Sequence, residues 1–415
     1  MAGVPQPGDE PALPFGFGDL DLNQLLRMLQ SSGPVNWQIA GQVARHVATD
    51  GEPERPIDAA AATELEGLAR AAQTQVVAET GLTATFATTV RTTGRQGWAE
   101  LHLEALRPVL EALATTLGTA FRPPGTEAPE GLGGLEGLGG LEGLEGLGAL
   151  GGQGGAPMAA LLPMLAPLLL GVQAGSMIGY LAQHALGRYD LPLATADEPS
   201  LCFVVPNVDA FEESWSLDRT DLRFTVALHE VVHAAMRSVP WVRQHLVALA
   251  TDYVSAYEVD PTVLSARLGD LDPADPEALQ RLAERPEELL GAMTSARQGQ
   301  LLERARVFHA VLEGYADDVL GRIGGRLVPS FGRVHEALAR HRIERGEATR
   351  FVEQLLGLTL EREDYERGAA FCAGVVERAG PEALNRLWEA PRLTPTAPEL
   401  EAPGLWLARI DLNLE

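Results

Sequence analysis

A mainly α-helical chain is what this sequence predicts, with a few short strands set beside one central helix, and three observations carry that expectation. Apolar residues recur at steps of three and four through most of the chain, the spacing of helices that bury one face. Apolar residues make up 46% of the chain but aromatics only 6%. A core built mainly from Ala, Leu and Val suits packed helices better than sandwiched sheets. The clearest strand-like run is LCFVVPNVDAFEESW, with β-branched residues ahead of Pro206. At 415 residues the chain can bury a sizeable core, as two or three domains or as one large helical body.

Residues 1–120 read as an N-terminal helical region. After a Pro/Gly-rich lead, DLNQLLRMLQ and NWQIAGQVARHVATD are amphipathic and end at GEPERP; IDAAAATELEGLARAAQTQVVAET is a longer helix. WAELHLEALRPVLEALATTL continues the pattern, with Pro108 as a kink or restart. Residues 121–156 hold a degenerate GLGGLEG repeat, too rich in glycine for a helix and too poor in other apolar side chains for a core. It reads as a flexible insertion, its Glu residues a solvated spacer. Residues 157–200 read as an apolar helical hairpin. Within it, 158–186 carries no Asp, Glu, Lys or Arg and is long enough to span a bilayer. Pro163, Pro167, Gln183, His184 and the lack of a flanking Lys/Arg cluster favour a buried core segment instead. Gly171, Gly175 and Gly179 are spaced for close helix packing.

Residues 201–390 form the expected metal-binding helical domain. RTDLRFTVALHEVVHAAMRSV carries good helix formers; Asp218 or Asp221 can cap its first turn and Pro240 ends it. Further helices follow, broken at DPADP, GGRLVPS and ERAGPEA, and 391–415 reads as an irregular tail.

The formal charge is 32 − 57 = −25, which opposes non-specific nucleic-acid binding, since phosphate affinity comes largely from Lys and Arg. Cys202 and Cys372 sit in apolar surroundings, where buried free thiols in a reducing cytoplasm are expected. The leading MAGVPQPGDEPALPFGFGDL has no basic stretch and no continuous apolar run, so it does not read as a signal peptide. Oligomeric state is left open by the sequence.

The chemistry concentrates in HEVVH. On a helix, His229 and His233 share one face about 6 Å apart at their bases, so both imidazoles reach one tetrahedral ion. Glu230 sits about 100° around from His229, placed to meet a metal-activated water rather than to ligate the same ion. Two histidines that merely share a helix face are the alternative, and a third ligand decides between them. The metzincin pattern would need Gly at 236 and His at 239, where the chain has Met236 and Val239. A di-iron bundle would need a second ExxH beside Glu230 to His233, and none exists. Gluzincins take a Glu from a second helix, commonly with an Asp four residues on that hydrogen-bonds a zinc-binding His. FHAVLEGYADDVLG supplies that spacing with Glu313 and Asp317, and His309 lies one turn earlier on the same face. Polar groups in register along an apolar helix are costly to bury unless a cation satisfies them. Asp252 and Glu258 are rival third ligands, ranked lower because neither brings a companion acid four residues on.

Together HEVVH, LEGYAD, LCFVVPNVDAFE, NWQIAGQVAR and YDLPL resemble a zincin-like metallopeptidase family of actinobacteria and related bacteria, some of whose members are associated with deazaflavin-coenzyme biosynthesis. The resemblance runs from about residue 15 to 405, apart from the Gly-rich insertion, and its specific motifs are HEVVH and LEGYAD. It implies a mainly helical, zincin-like fold, one zinc ion held by His229, His233 and Glu313, and Glu230 as general base. Metal-assisted hydrolysis of a peptide or other small amide is the expected reaction. Asp317 would orient His229 or His233, and His309, Tyr253, Tyr257 and Tyr315 are the candidate donors to a developing oxyanion. A helical scaffold or binding protein that keeps the metal body without turnover is the rival function; a membrane-embedded protease is a weaker one.

Overall fold

The computed structural model describes residues 33–82, 90–120, 156–258, 295–344 and 346–412. The expected helix DLNQLLRMLQ, the Gly-rich repeat from 121 to 155 and the break at DPADP lie outside the described residues. The fold is mainly α, as the composition predicts, with two short strands. The chain opens with the helices α1 (Trp37–Ala48), α2 (Ala59–Thr80), α3 (Arg95–Ala105), α4 (Arg107–Ala120) and α5 (Ala156–Ala182). Asn36 and Asp58 cap α1 and α2 through side-chain oxygens that accept from Ile39 N and Ala60 N. The chain restarts at Arg107, next to Pro108, since proline fits the first turn of a new helix better than the middle of an old one.

Helix α5 lies against α1 along its glycine stripe. A Cβ added at Gly171, Gly175 or Gly179 would come within 2.5, 2.4 and 2.7 Å of the carbonyl oxygens of Asn36, Ala40 and Ala44. Only glycine lets the two backbones approach so closely. The expected hairpin over 157–200 is instead this single helix followed by a non-helical run from Gln183. That run turns back along the strands: Val204 N donates to Leu186 O at 2.9 Å and Arg188 N to Cys202 O at 3.1 Å. Among the described residues no helix is long and apolar enough to cross a membrane.

Strand β1 (Val90–Thr93) pairs in parallel with β2 (Leu201–Val204), Val90 opposite Leu201 and Thr93 opposite Val204. The strand read in LCFVVPNVDAFEESW is therefore only four residues long. Pro206 opens a helix, α6 (Val205–Trp215), because its missing N–H falls where a helix start needs none. Next comes α7 (Arg219–Ser238), whose N-cap Asp218 accepts from Asp221 N. Its fully buried Arg223 joins Glu64 of α2 at 2.9 Å and Asp209 of α6, which fixes α7 between those helices. Beyond it run α8 (Pro240–Ser255), α9 (Ala296–Leu327), α10 (Phe331–Ile343), α11 (Glu347–Leu356) and α12 (Arg362–Ala379), then short helices to Leu412, so that the stretch from 391, expected to be an irregular tail, is mostly helical, in Ala397–Glu401 and Pro403–Leu412. The 32-residue α9 starts at a Ser295 capping box and packs on α12, where a Cβ on Gly314 would lie 2.3 Å from the Gly368 carbonyl carbon. Helices α7, α9 and α10 thus meet at one place, and the polar residues of the chain's centre gather there.

Candidate metal centre

His229 and His233 project from α7 one turn apart, their ring centroids separated by 4.4 Å. Glu313 approaches from α9, its Oε1 3.7 Å from His233 Nε2. One ligand atom from each of the three residues lies within 4.8 Å of the others. A tetrahedral zinc spaces its ligand atoms about 3.3 Å apart, given metal–ligand bonds near 2.0–2.1 Å. Small side-chain rotations therefore close the set. The site is left unsatisfied as it stands: His233 Nε2 is buried and has no hydrogen-bond partner, although Glu313 Oε1 lies 3.7 Å away. Burying such an atom unsatisfied costs roughly 1–3 kcal/mol. Two imidazoles and one carboxylate fit zinc or a similar divalent ion. Asp252 and Glu258, the rival ligands, are exposed and take no part in this group.

Glu230 lies in a cradle that the spacing of HEVVH does not reveal. Its carboxylate accepts from Arg188 N at 2.7 Å (Oε2) and from Tyr189 N at 2.9 Å (Oε1), both in the run that follows α5. The side chain is 1% exposed, and burial pushes its carboxyl above the usual range, against the opposing pull of His229 and the amides. Gly187 makes the room: a Cβ there would sit 2.4 Å from the Glu230 carboxyl carbon. His229 Nδ1 faces the same carboxylate at 3.7 Å.

Asp317 does not reach either histidine ligand. It accepts from Arg342 Nη2 at 2.9 Å, while Arg342 Nη1 donates to Glu313 Oε2 at 3.1 Å. Arg342, near the end of α10, therefore clamps Glu313 and Asp317 together. Burial raises the Asp317 carboxyl, yet Arg342 and His335 outweigh it and hold the group down at about 2. Glu313 is left with Oε1 turned toward His233.

The expected oxyanion donors fall elsewhere. Tyr253 and Tyr257 spend their hydroxyls on the carbonyls of Gln354 and Leu355, and Tyr315 donates to Asn385 Oδ1 at 2.7 Å. None of the three lines the cleft that His229 and Glu230 border. His309 is buried one turn before Glu313, its Nδ1 without a partner; desolvation, then the charge of Arg237, push it down to about 3. It is a neutral ring that does not line the cleft. The cleft itself is bordered by His229, Glu230, Asp190, His335 and Arg342, with Leu186, Val226, Leu320 and Leu338 as its apolar walls. Asp190 holds His341 Nε2 at 3.1 Å. Sequence reasoning did not single out Asp190, His335, Arg342 or the amide cradle; the one available signal was YDLPL, which contains Tyr189 and Asp190.

A helical body in which HExxH supplies two imidazoles and a buried glutamate, and a second helix adds a carboxylate, defines the class of zincin-like proteins. The chain belongs to the zincin-like metallopeptidase family, whose model matches residues 35–407. A crystal structure of a candidate hydrolase with a novel fold, from Chloroflexus aurantiacus, shares its architecture, with a TM-score of 0.57 and 24% identity over 91% of this chain and 99% of that one. No curated protein matches the chain.

Proposed function

We propose that the protein is a zinc-dependent hydrolase of amide bonds, a peptidase, with His229, His233 and Glu313 as metal ligands and Glu230 as general base. The observation that carries this reading is the convergence of three ligand atoms within 4.8 Å, with His229 of that group and Glu230 both bordering the cleft. Zinc in such a site lowers the pKa of water and polarises a carbonyl oxygen. Glu230 takes up the proton that water loses and returns it to the leaving amine. Its desolvated carboxylate, raised above the usual range, suits that exchange near neutral pH. The two amides hold it still, and the apolar walls from Leu186 to Leu338 seat an aliphatic portion of the substrate. Arg342 and His335 stand on the same wall and take the donor role expected of His309 and the tyrosines.

One observation favours a second reading, a metal-stabilised scaffold without turnover: both Glu230 oxygens already accept backbone hydrogen bonds. The test separates the two. Elemental analysis should give one equivalent of zinc in the parent and much less in Glu313→Ala. Glu230→Gln should keep its zinc and lose hydrolysis of a peptide library. A parent that binds zinc yet cleaves nothing supports the scaffold, and a parent that takes up no zinc removes both readings.

A further inference from the structure

Arg237 lies one turn beyond His233 on α7 and is 2% exposed. Its Nη1 is 2.8 Å from His233 Nδ1, its guanidinium sits over the Tyr189 ring at 4.8 Å, and its Nε has no partner. No carboxylate among the described residues lies within ion-pair distance of it, whereas Arg342 nearby is matched to Glu313 and Asp317. Guanidinium nitrogens only donate. His233 Nδ1 must then accept, and a neutral ring that accepts at Nδ1 carries its hydrogen on Nε2.

That polarity is the reverse of the usual one. A histidine that ligates through one nitrogen ordinarily donates its other N–H to a carboxylate or carbonyl, which fixes the ligating tautomer. Here Nε2 faces Glu313 Oε1 with its hydrogen, at the place where a metal needs its lone pair. To ligate as a neutral ring, His233 must move that hydrogen to Nδ1, where it meets the Nη1–H of Arg237. Two donors then face each other in a buried site, with a guanidinium charge beside the incoming cation.

Resting on the metal-site reading above, we propose that Arg237 is a brake on metal affinity: it holds His233 in the non-ligating tautomer, so that the centre loads and releases its ion rather than keeping it permanently. Arg237 is a positioning residue in this scheme and touches no substrate. Such partners of ligating histidines change metal affinity by about 10–100-fold, and here removal should strengthen binding.

The experiment is a competition titration of zinc against a chromophoric chelator, on the full chain, for the parent, Arg237→Gln, Arg237→Lys and Glu313→Ala. Gln carries no charge and offers an oxygen to Nδ1–H, so Arg237→Gln should bind at least about tenfold tighter than the parent. Arg237→Lys keeps a buried donor and cation and should stay with the parent. Glu313→Ala should lose zinc. A parent that binds while Arg237→Gln binds no tighter, or more weakly, overturns the brake and leaves the metal site standing; no binding by any of them overturns both. Melting of the metal-free proteins checks that each variant folds. If Arg237→Gln does not, the ¹⁵N shifts of the His233 ring in the metal-free parent decide: a proton on Nε2 supports the proposal, and a proton on Nδ1 overturns it.

Discussion

Gly187→Ala tests whether the Glu230 cradle is built as described. The new Cβ would lie 2.4 Å from the Glu230 carboxyl carbon and 2.5 Å from its Oε1. The backbone there has little freedom to retreat, because Gly187 O accepts from Trp98 Nε1 at 2.7 Å and Gly187 bridges to Phe203 of β2. Glu230 must therefore leave its two amides. Arg188 N would keep its contact with Cys202 O, but Tyr189 N has no second acceptor and would be left buried. Hydrogen bonds to a charged group contribute about 1.5–3 kcal/mol each, so the cost is on the order of 3–5 kcal/mol. Against a net stability of roughly 5–15 kcal/mol, that is a large loss. The assay is urea unfolding of the parent, Gly187→Ala, Glu230→Ala and the double variant. With the carboxylate removed the clash disappears, so Gly187→Ala should cost under about 1 kcal/mol in the Glu230→Ala background, a coupling of about 2–4 kcal/mol. Equal costs in both backgrounds, or a negligible cost in the parent, would refute the reasoning.

The buried histidines set an acid limit. Burial first, then the charge of Arg188 for His102 and of Arg237 for His309, push both rings from 6.5 down to about 3. Their contribution is fully present above pH 6.5 and is lost as pH falls toward 3, because the unfolded chain binds protons that the folded one refuses. Each should remove about 1.4 kcal/mol per pH unit in that window, or about 3 kcal/mol together between pH 7.5 and 5.5; equal urea midpoints at the two pH values would contradict this. Arg342→Met leaves Glu313 and Asp317 buried without their cation and should cost about 3–5 kcal/mol in metal-free protein, with part of the loss recovered by saturating zinc. Thermal melting with and without zinc shows both, and a variant as stable as the parent removes Arg342 from the clamp. Gly368→Ala would place a Cβ 1.9 Å from Ala310 O and force α12 away from α9 three residues before Glu313. Overpacking of about 1–3 kcal/mol or more should appear in the melt together with weaker zinc uptake; unchanged zinc affinity would show that α9 holds Glu313 without α12.

The parts of this site that could be read from the chain are those that depend on spacing within one helix. His229 and His233 had to share a face once α7 was recognised from its helix formers and an acidic cap at Asp218 or Asp221, and the glycine stripe on α5 had to admit another backbone. Glu313 was readable for the same reason, as a carboxylate four residues from another on an apolar helix. What was not readable is how those helices answer one another. Arg342 reaches Glu313 across 29 residues, and the amides of Arg188 and Tyr189 reach Glu230 across 42 and 41. No periodicity links such positions. The same limit explains the misplaced hairpin, because the run after His184 looks like more of the apolar helix until its backbone is needed beside β2. It also explains Asp317: a carboxylate four residues after a ligand can orient a histidine or hold a guanidinium, and the choice depends on α10 supplying Arg342. Glu230 shows why this matters for function. Spacing assigns it one task, proton transfer, but the fold assigns it a second, tying the 187–189 run to α7. A substitution that ends turnover at this position therefore identifies a base only when the protein remains folded and metal-loaded, which is why Glu230→Gln, and not Glu230→Ala, is the informative variant for chemistry.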